Sequence, residues 1–261
     1  MWNLADKIIS SRFILGTAQY PSLDILCDAI TESKTNIITV SLKKQLQHDQ
    51  TENGFWREIK KLNSVFLPNT AGCHQAIDAV NTAEMARELF QTNWIKLEVI
   101  GDEYNLQPDI FELLKAAEIL VKQGFEVFPY CTDDLVLCQR LVDVGCRILM
   151  PWAAPIGSGK GILNPYALET LRARLPDIAL IIDAGIGKPS EATRIMEMGF
   201  DGVLLNTAVS LANHPVKMAA AFRDAIIAGR QAYEAGLMPE RNVAHPSTLL
   251  LDTPFWLQGT E

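Results

Sequence analysis

The sequence predicts a single α/β domain of the (β/α)8 barrel class spanning residues 1–261, with a C-terminal tail from about residue 230. Three observations carry that prediction. Eight short runs rich in Val, Ile, Leu and Phe recur along the chain. Helical periodicity fills most of the intervals between them, and the 261 residues are close to the ~250 that such a barrel uses. Runs this continuously apolar suit parallel strands covered on both faces. A doubly wound open sheet is the competitor. It ordinarily shows G-x-G-x-x-G after its first strand, and Gly16-Thr17-Ala18-Gln19-Tyr20 does not supply it.

Taken in order, the strands fall at 12–17, 36–42, 64–68, 94–100, 125–130, 146–150, 178–183 and 202–206. The polar stretch 43–63 has no clear period and reads as a loop with a short helix around Phe55–Leu62. Segment 75–90 puts Ala76, Ala79, Val80, Ala83, Ala86 and Phe90 on one helical stripe, and 109–123 does the same with Ile110, Leu113, Leu114, Ala117, Leu120 and Val121. Segment 190–198 opens with Ser190 as the N-cap and Glu191 in the first turn, where the helix dipole favours a carboxylate.

Composition narrows the function classes. With 23 Lys and Arg against 31 Asp and Glu, the formal net charge of −8 repels phosphate backbones and anionic lipid, which argues against nucleic-acid and membrane partners. Apolar residues make up 48% of the chain and charged ones 21%, as in a globular fold. No apolar run approaches the ~18 residues of a membrane span, and MWNLADKIIS lacks the features of a signal peptide. The five cysteines form no C-x-x-C pair and the four histidines no H-x-x-x-H pair. Reduced thiols in the cytoplasm, with no metal site and no cofactor, are therefore expected.

In a barrel, chemistry gathers at the C-terminal ends of the strands. With period two, Lys96 and Glu98 share one face of strand 94–100, while Ile95, Leu97 and Val99 share the other. The apolar set suits the helix layer, so the charged pair faces the lumen. It reads either as a structural ion pair or as an amine nucleophile beside a proton-transfer group. A lysine with the ordinary pKa of ~10.4 is neutral in only about 1 copy in 2,500 at pH 7. Burial lowers that pKa, and an ionised Glu98 roughly 6–7 Å away on strand geometry restores much of it. A working nucleophile therefore needs Glu98 to take or hold the proton.

The seventh strand ends in Asp183-Ala184-Gly185-Ile186-Gly187 and the eighth in Leu205-Asn206-Thr207-Ala208. Loops after these two strands are the usual phosphate site of the fold, although glycines there can also simply terminate strands. Segment 154–161 departs from the nucleotide P-loop, with Ala154 at its first position and Gly161 after Lys160. It reads instead as a glycine-rich loop covering a small substrate.

Together these stretches resemble the bacterial thiazole synthases of thiamin biosynthesis. The resemblance runs from Ser11-Arg12 to about Pro246 and rests on Leu67–Gly72, Asn93–Glu98, Pro155–Gly159, Asp183–Gly187 and Leu205–Ala208. It implies that Lys96 forms a Schiff base with 1-deoxy-D-xylulose 5-phosphate, with Glu98 and Asp183 as the acid–base pair. It implies that Gly157, Ala184, Gly185, Asn206 and Thr207 hold the sugar phosphate. The implied partners are a small sulfur-carrier protein with a C-terminal thiocarboxylate, the enzyme that makes dehydroglycine, and further copies of the same chain in a homo-oligomer. Three departures stand out: Trp152-Ala153-Ala154 for Leu-Gly-Ser or Leu-Gly-Ala, an unusual Lys160, and Gln19 where lysine is common. None removes a catalytic group, but Trp152 is bulky and is expected close to the site. A class I aldolase acting on another phosphorylated sugar, or a non-catalytic barrel that docks a partner, would show much the same pattern of residues.

Overall fold

A computed structural model describes residues 1–42 and 55–245, apart from the side chain of Trp56. Residues 43–54 of the expected loop, and the part of the expected tail beyond 245, lie outside the described residues. A hairpin opens the chain, β1 (Trp2–Leu4) against β2 (Lys7–Ile9). The barrel strands follow: β3 (Phe13–Gly16), β4 (Ile37–Ser41), β5 (Val65–Asn69) and β6 (Trp94–Leu97). A second hairpin, β7 (Ile100–Asp102) with β8 (Gln107–Pro108), precedes β9 (Glu126–Cys131), β10 (Ile148–Pro151), β11 (Ala179–Asp183) and β12 (Gly202–Leu205). Eight parallel strands close in the order β10-β11-β12-β3-β4-β5-β6-β9, and helices lie between them. The chain is a (β/α)8 barrel.

Local sequence sets the helix boundaries. Ser22 caps the helix Leu23–Ser33 by accepting from the Ile25 amide, and Asp109 caps Ile110–Lys122 by accepting from Phe111 and Glu112. Asp134 and Asn164 start Leu135–Asp143 and Pro165–Arg174 in the same way. The helix Ala76–Phe90 buries Ala76, Ala79, Val80, Ala83 and Ala86, as its period requires. Along Ile110–Lys122 the buried stripe is narrower than expected, because Ile110 at its first turn is 40% exposed. The expected Ser190 cap is also displaced. Lys188 is the N-cap and Pro189 the first helical residue, where its missing N–H costs nothing. Glu191 Oε2 then accepts from the Gly187 and Lys188 amides.

Strand alternation divides the core into two layers. Phe13, Leu15, Ile38, Ile95, Leu97 and Ile182 pack outward on the helices. Ile14, Ile37, Leu67, Trp94, Phe128 and Ile181 fill the lumen, together with Leu4 and Ile9 of the N-terminal hairpin. That hairpin, which the sequence reading missed, plugs the lower end of the barrel. Its turn residue Asp6 accepts a hydrogen bond from Trp94 Nε1 at 2.7 Å.

Candidate active site

Lys96 sits on β6 in the lumen phase, one side-chain layer above Trp94. Its ammonium lies 3.0 Å from Glu98 Oε1 and 2.6 Å from Asp183 Oδ2, which comes from the end of β11. The residues are 6%, 6% and 3% exposed respectively. The 6–7 Å separation expected of Lys96 and Glu98 on backbone spacing is thus corrected, since two flexible side chains on one face close most of it. Burial alone would lower the Lys96 pKa, but the facing carboxylates of Asp183 and Glu98 outweigh it and hold the pKa above its usual value. Burial raises the Asp183 pKa, Lys96 opposes that and Glu98 adds to it, leaving a net upward shift. One ammonium between two carboxylates makes the cluster net negative when all three are ionised. A proton passed from Lys96 to either carboxylate leaves that net charge unchanged but cuts the buried charged groups from three to one.

Tyr130 of β9 forms one wall beneath this group, with Lys96 Nζ 5.8 Å from its ring centre. Its hydroxyl donates to the Leu106 carbonyl, and burial pushes its pKa well up.

The three residues open into a cleft of about 530 Å3 at the C-terminal end of the barrel. The same cleft is lined by Gly157, Ala184, Gly185, Asn206 and Thr207, so every expected site residue converges on it. Ala184 and Gly185 are consecutive left-handed residues, with φ of 78° and 86°. The glycine at 185 is needed for a reason other than ligand approach, since a Cβ there would lie 2.3 Å from the Ala154 amide nitrogen. The Ala184 and Gly185 carbonyls accept from the Ala153 and Gly161 amides, tying the loops after β10 and β11 together. Thr207 is the first residue of the short helix Thr207–Ser210, where the amide has no intrahelical partner. Asn206 Oδ1 accepts from the Ala18 amide at 3.1 Å, joining the loop after β12 to the loop after β3.

Trp152 turns away from the cleft. Its Nε1 donates to Asp133 Oδ1 at 2.9 Å, and it does not line the cavity. Lys160 is exposed on the glycine-rich loop, while Gln19 does line the cleft, with a left-handed φ of 67°. The sequence reading did not single out Gly16, Thr17, Thr39 and Ser41, nor Asn69 by itself, all of which line the opposite wall. The signal was available for most of them, because the alternation that placed Lys96 also turns Gly16, Thr39, Ser41 and Asn69 inward. Asn69 is the register partner of Lys96. Four of the five cysteines are buried, and Cys131 and Cys138 lie with their sulfurs 3.9 Å apart. Burial pushes the Cys146 thiol up to about 12, which suppresses thiolate chemistry there.

Residues 3–249 match the model of a family described as thiazole biosynthesis protein ThiG. A thiazole synthase of Coxiella burnetii (strain RSA 493 / Nine Mile phase I) is 59% identical over 258 residues, covering 99% of each chain. One from Bradyrhizobium sp. (strain ORS 278) is 57% identical over 256 residues, covering 98% of each. Among solved structures, the Amycolatopsis orientalis BexX/CysO complex matches with a TM-score of 0.80 and 28% identity, over 92% of this chain and 98% of that one.

Proposed function

This chain belongs to the ThiG family of thiazole biosynthesis proteins and is an enzyme with thiazole synthase activity, and we propose that it works through a Schiff base between Lys96 and 1-deoxy-D-xylulose 5-phosphate. The observation that carries this reading is the Lys96 amine held between Glu98 and Asp183 at the floor of the cleft. The resting amine is protonated and cannot attack a carbonyl. Asp183, whose pKa is raised and whose Oδ2 lies 2.6 Å from the amine, accepts that proton when the sugar arrives. The freed amine adds to the ketone carbon, the developing alkoxide takes a proton from a carboxyl group, and loss of water leaves the iminium. The iminium acidifies the neighbouring carbon, and Glu98 and Asp183 then shuttle the protons that let the carbonyl migrate.

Sulfur enters from the C-terminal thiocarboxylate of a small sulfur-carrier protein, a partner supported by the likeness to a chain solved with CysO. Dehydroglycine, delivered by the enzyme that forms it, supplies nitrogen and carbon, and ring closure expels Lys96. The family likeness also underlies a cytoplasmic homo-oligomer. No helix among the described residues is long and apolar enough to cross a membrane.

The phosphate is held by local donors, since the formal net charge of −8 gives no long-range attraction. The Gly187 and Lys188 amides are already taken by Glu191, which leaves Gly157, Ala184–Gly185 and Asn206–Thr207 as the donor set. Charge-assisted hydrogen bonds of this kind contribute roughly 1.5–3 kcal/mol each.

Borohydride reduction in the presence of the sugar phosphate tests the central step. Mass spectrometry should find one reduced sugar adduct on the peptide carrying Lys96. Lys96→Ala should abolish it and lower turnover on the order of 10⁴-fold or more. An adduct of undiminished yield in that variant would assign the nucleophile to another lysine. Release of a carbon–carbon cleavage product without any sulfur carrier would favour an aldolase.

A further inference from the structure

β6 leaves the barrel ladder at Leu97, yet the next residue must hold its carboxylate 3.0 Å from Lys96 Nζ. What fixes residue 98 is a side chain from the loop after β5. Thr70 Oγ1 donates to the Glu98 carbonyl at 2.7 Å and accepts from the Glu98 amide at 2.8 Å. The Thr70 amide donates to the Lys96 carbonyl at 3.1 Å, and Thr70 itself is 0% exposed. One hydroxyl thus serves both main-chain groups of residue 98, as a further rung of the parallel ladder would. The flanks are held separately. Asn69 pairs with Lys96 below, and above it the Ile100 amide donates to Cys73 and the Asp109 amide to Val99. Residue 98 therefore keeps the lumen phase of Lys96 after the strand has ended, through a single side-chain atom.

We infer that Thr70 is a positioning residue for the reaction, holding Glu98 so that its carboxylate meets the Lys96 amine. The inference rests on the Schiff-base reading above. Thr70 acts through Glu98. Only a group that donates and accepts at one atom can fill this place. Serine keeps such a group, whereas valine has the shape of threonine and leaves two buried main-chain groups without it. The titratable side chains around the amine are Glu98, Asp183 of β11 and Tyr130 of β9. Releasing Glu98 removes one of the two carboxylates that keep Lys96 protonated, so the amine becomes neutral at lower pH.

The test compares full-length wild type, Thr70→Val, Thr70→Ala and Thr70→Ser. It reads turnover with carrier thiocarboxylate, and borohydride trapping of 1-deoxy-D-xylulose 5-phosphate as a function of pH. Thr70→Val should lower kcat about tenfold or more with KM for the sugar phosphate nearly unchanged. Its trapping at Lys96 should persist, with an onset about 1 pH unit lower. Thr70→Ser should keep kcat within about threefold, because it retains the hydroxyl. Wild-type kcat and pH onset in Thr70→Val would overturn the inference, as would a Thr70→Ser variant as impaired as Thr70→Val. If Thr70→Val does not fold, the same two readings on Thr70→Ala decide in either direction. No adduct on the wild type would overturn the Schiff-base reading and this inference with it, a result distinct from an adduct whose pH onset ignores residue 70.

Discussion

On five of the eight barrel strands, two residues separate an apolar lower layer of the lumen from a polar upper one. On β6 the step is from Trp94 to Lys96, on β9 from Phe128 to Tyr130, and on β11 from Ile181 to Asp183. On β4 and β5 it is from Ile37 to Thr39 and from Leu67 to Asn69. Below, the rings of Trp94 and Phe128 pack 5.1 Å apart and the N-terminal hairpin closes the end. Above, the same faces of β4, β5, β6 and β11 line an open cleft with an ammonium and two carboxylates, and Tyr130 of β9 lies beside the ammonium. The carboxylates differ in the same sense. The Trp94 indole N–H chiefly holds the Asp6 pKa below its usual value, whereas burial pushes that of Asp183 up. Cohesion and reactivity are thus assigned to successive side-chain layers of one sheet, and each should be alterable without the other.

The strongest challenge to that separation is Trp94→Ala. It should cost about 3–5 kcal/mol of stability, read as a lower denaturant midpoint, while kcat at a temperature where the variant stays folded changes little. Loss of activity in folded Trp94→Ala would show that the two layers are mechanically coupled. Asp183→Asn probes the upper layer. Turnover should fall about 10²–10³-fold with a nearly unchanged denaturant midpoint. Its sugar trapping at Lys96 should begin at lower pH, because one of the charges holding the amine protonated has gone. An onset moved upward would contradict the electrostatic account.

The smallest effect belongs to Asp6→Asn. A carboxylate whose folded pKa is lowered stabilises the fold above its unfolded value of 3.8 and loses that contribution as the pH falls through the folded value. Wild type should therefore exceed Asp6→Asn by about 0.5 kcal/mol or less at neutral pH, with the gap closing in acid. Melting curves at pH 7 and pH 3 would show it, and a gap that widens in acid would refute it.

Most of the barrel was legible because its strands are nearly continuous in branched apolar residues, and seven of the eight expected runs lie within two residues of the observed ends. Run 94–100 exceeds the observed strand, Trp94–Leu97. The ladder stops at Leu97, and Ile100 starts a separate hairpin that a run of Val99-Ile100 does not announce. The N-terminal hairpin was invisible because its turn carries Ala5 at φ 52° in place of the usual glycine or asparagine. The inward face of the site followed from period two alone. Its distances did not, since spacing along a strand says nothing of where long side chains meet. Lys188-Pro189 could have located the helix start, because proline favours the first helical position. The turning of Trp152 toward Asp133 depends on a partner nineteen residues earlier and left no local trace.

The contact between Asn206 and the Ala18 amide joins groups 188 positions apart in the chain, across the seam where β12 meets β3. Gly16 lets the two edges meet, since a Cβ there would fall 2.5 Å from that of Asn206. During synthesis the ribosome releases the first edge of this seam long before the last. The pocket therefore has no early, partial form, and a truncated chain lacking β12 has neither a closed barrel nor the Asn206–Thr207 wall. Ligand recognition at this cleft therefore arrives late and all at once, so occupancy of the cleft reports that β12 has been made and has found β3.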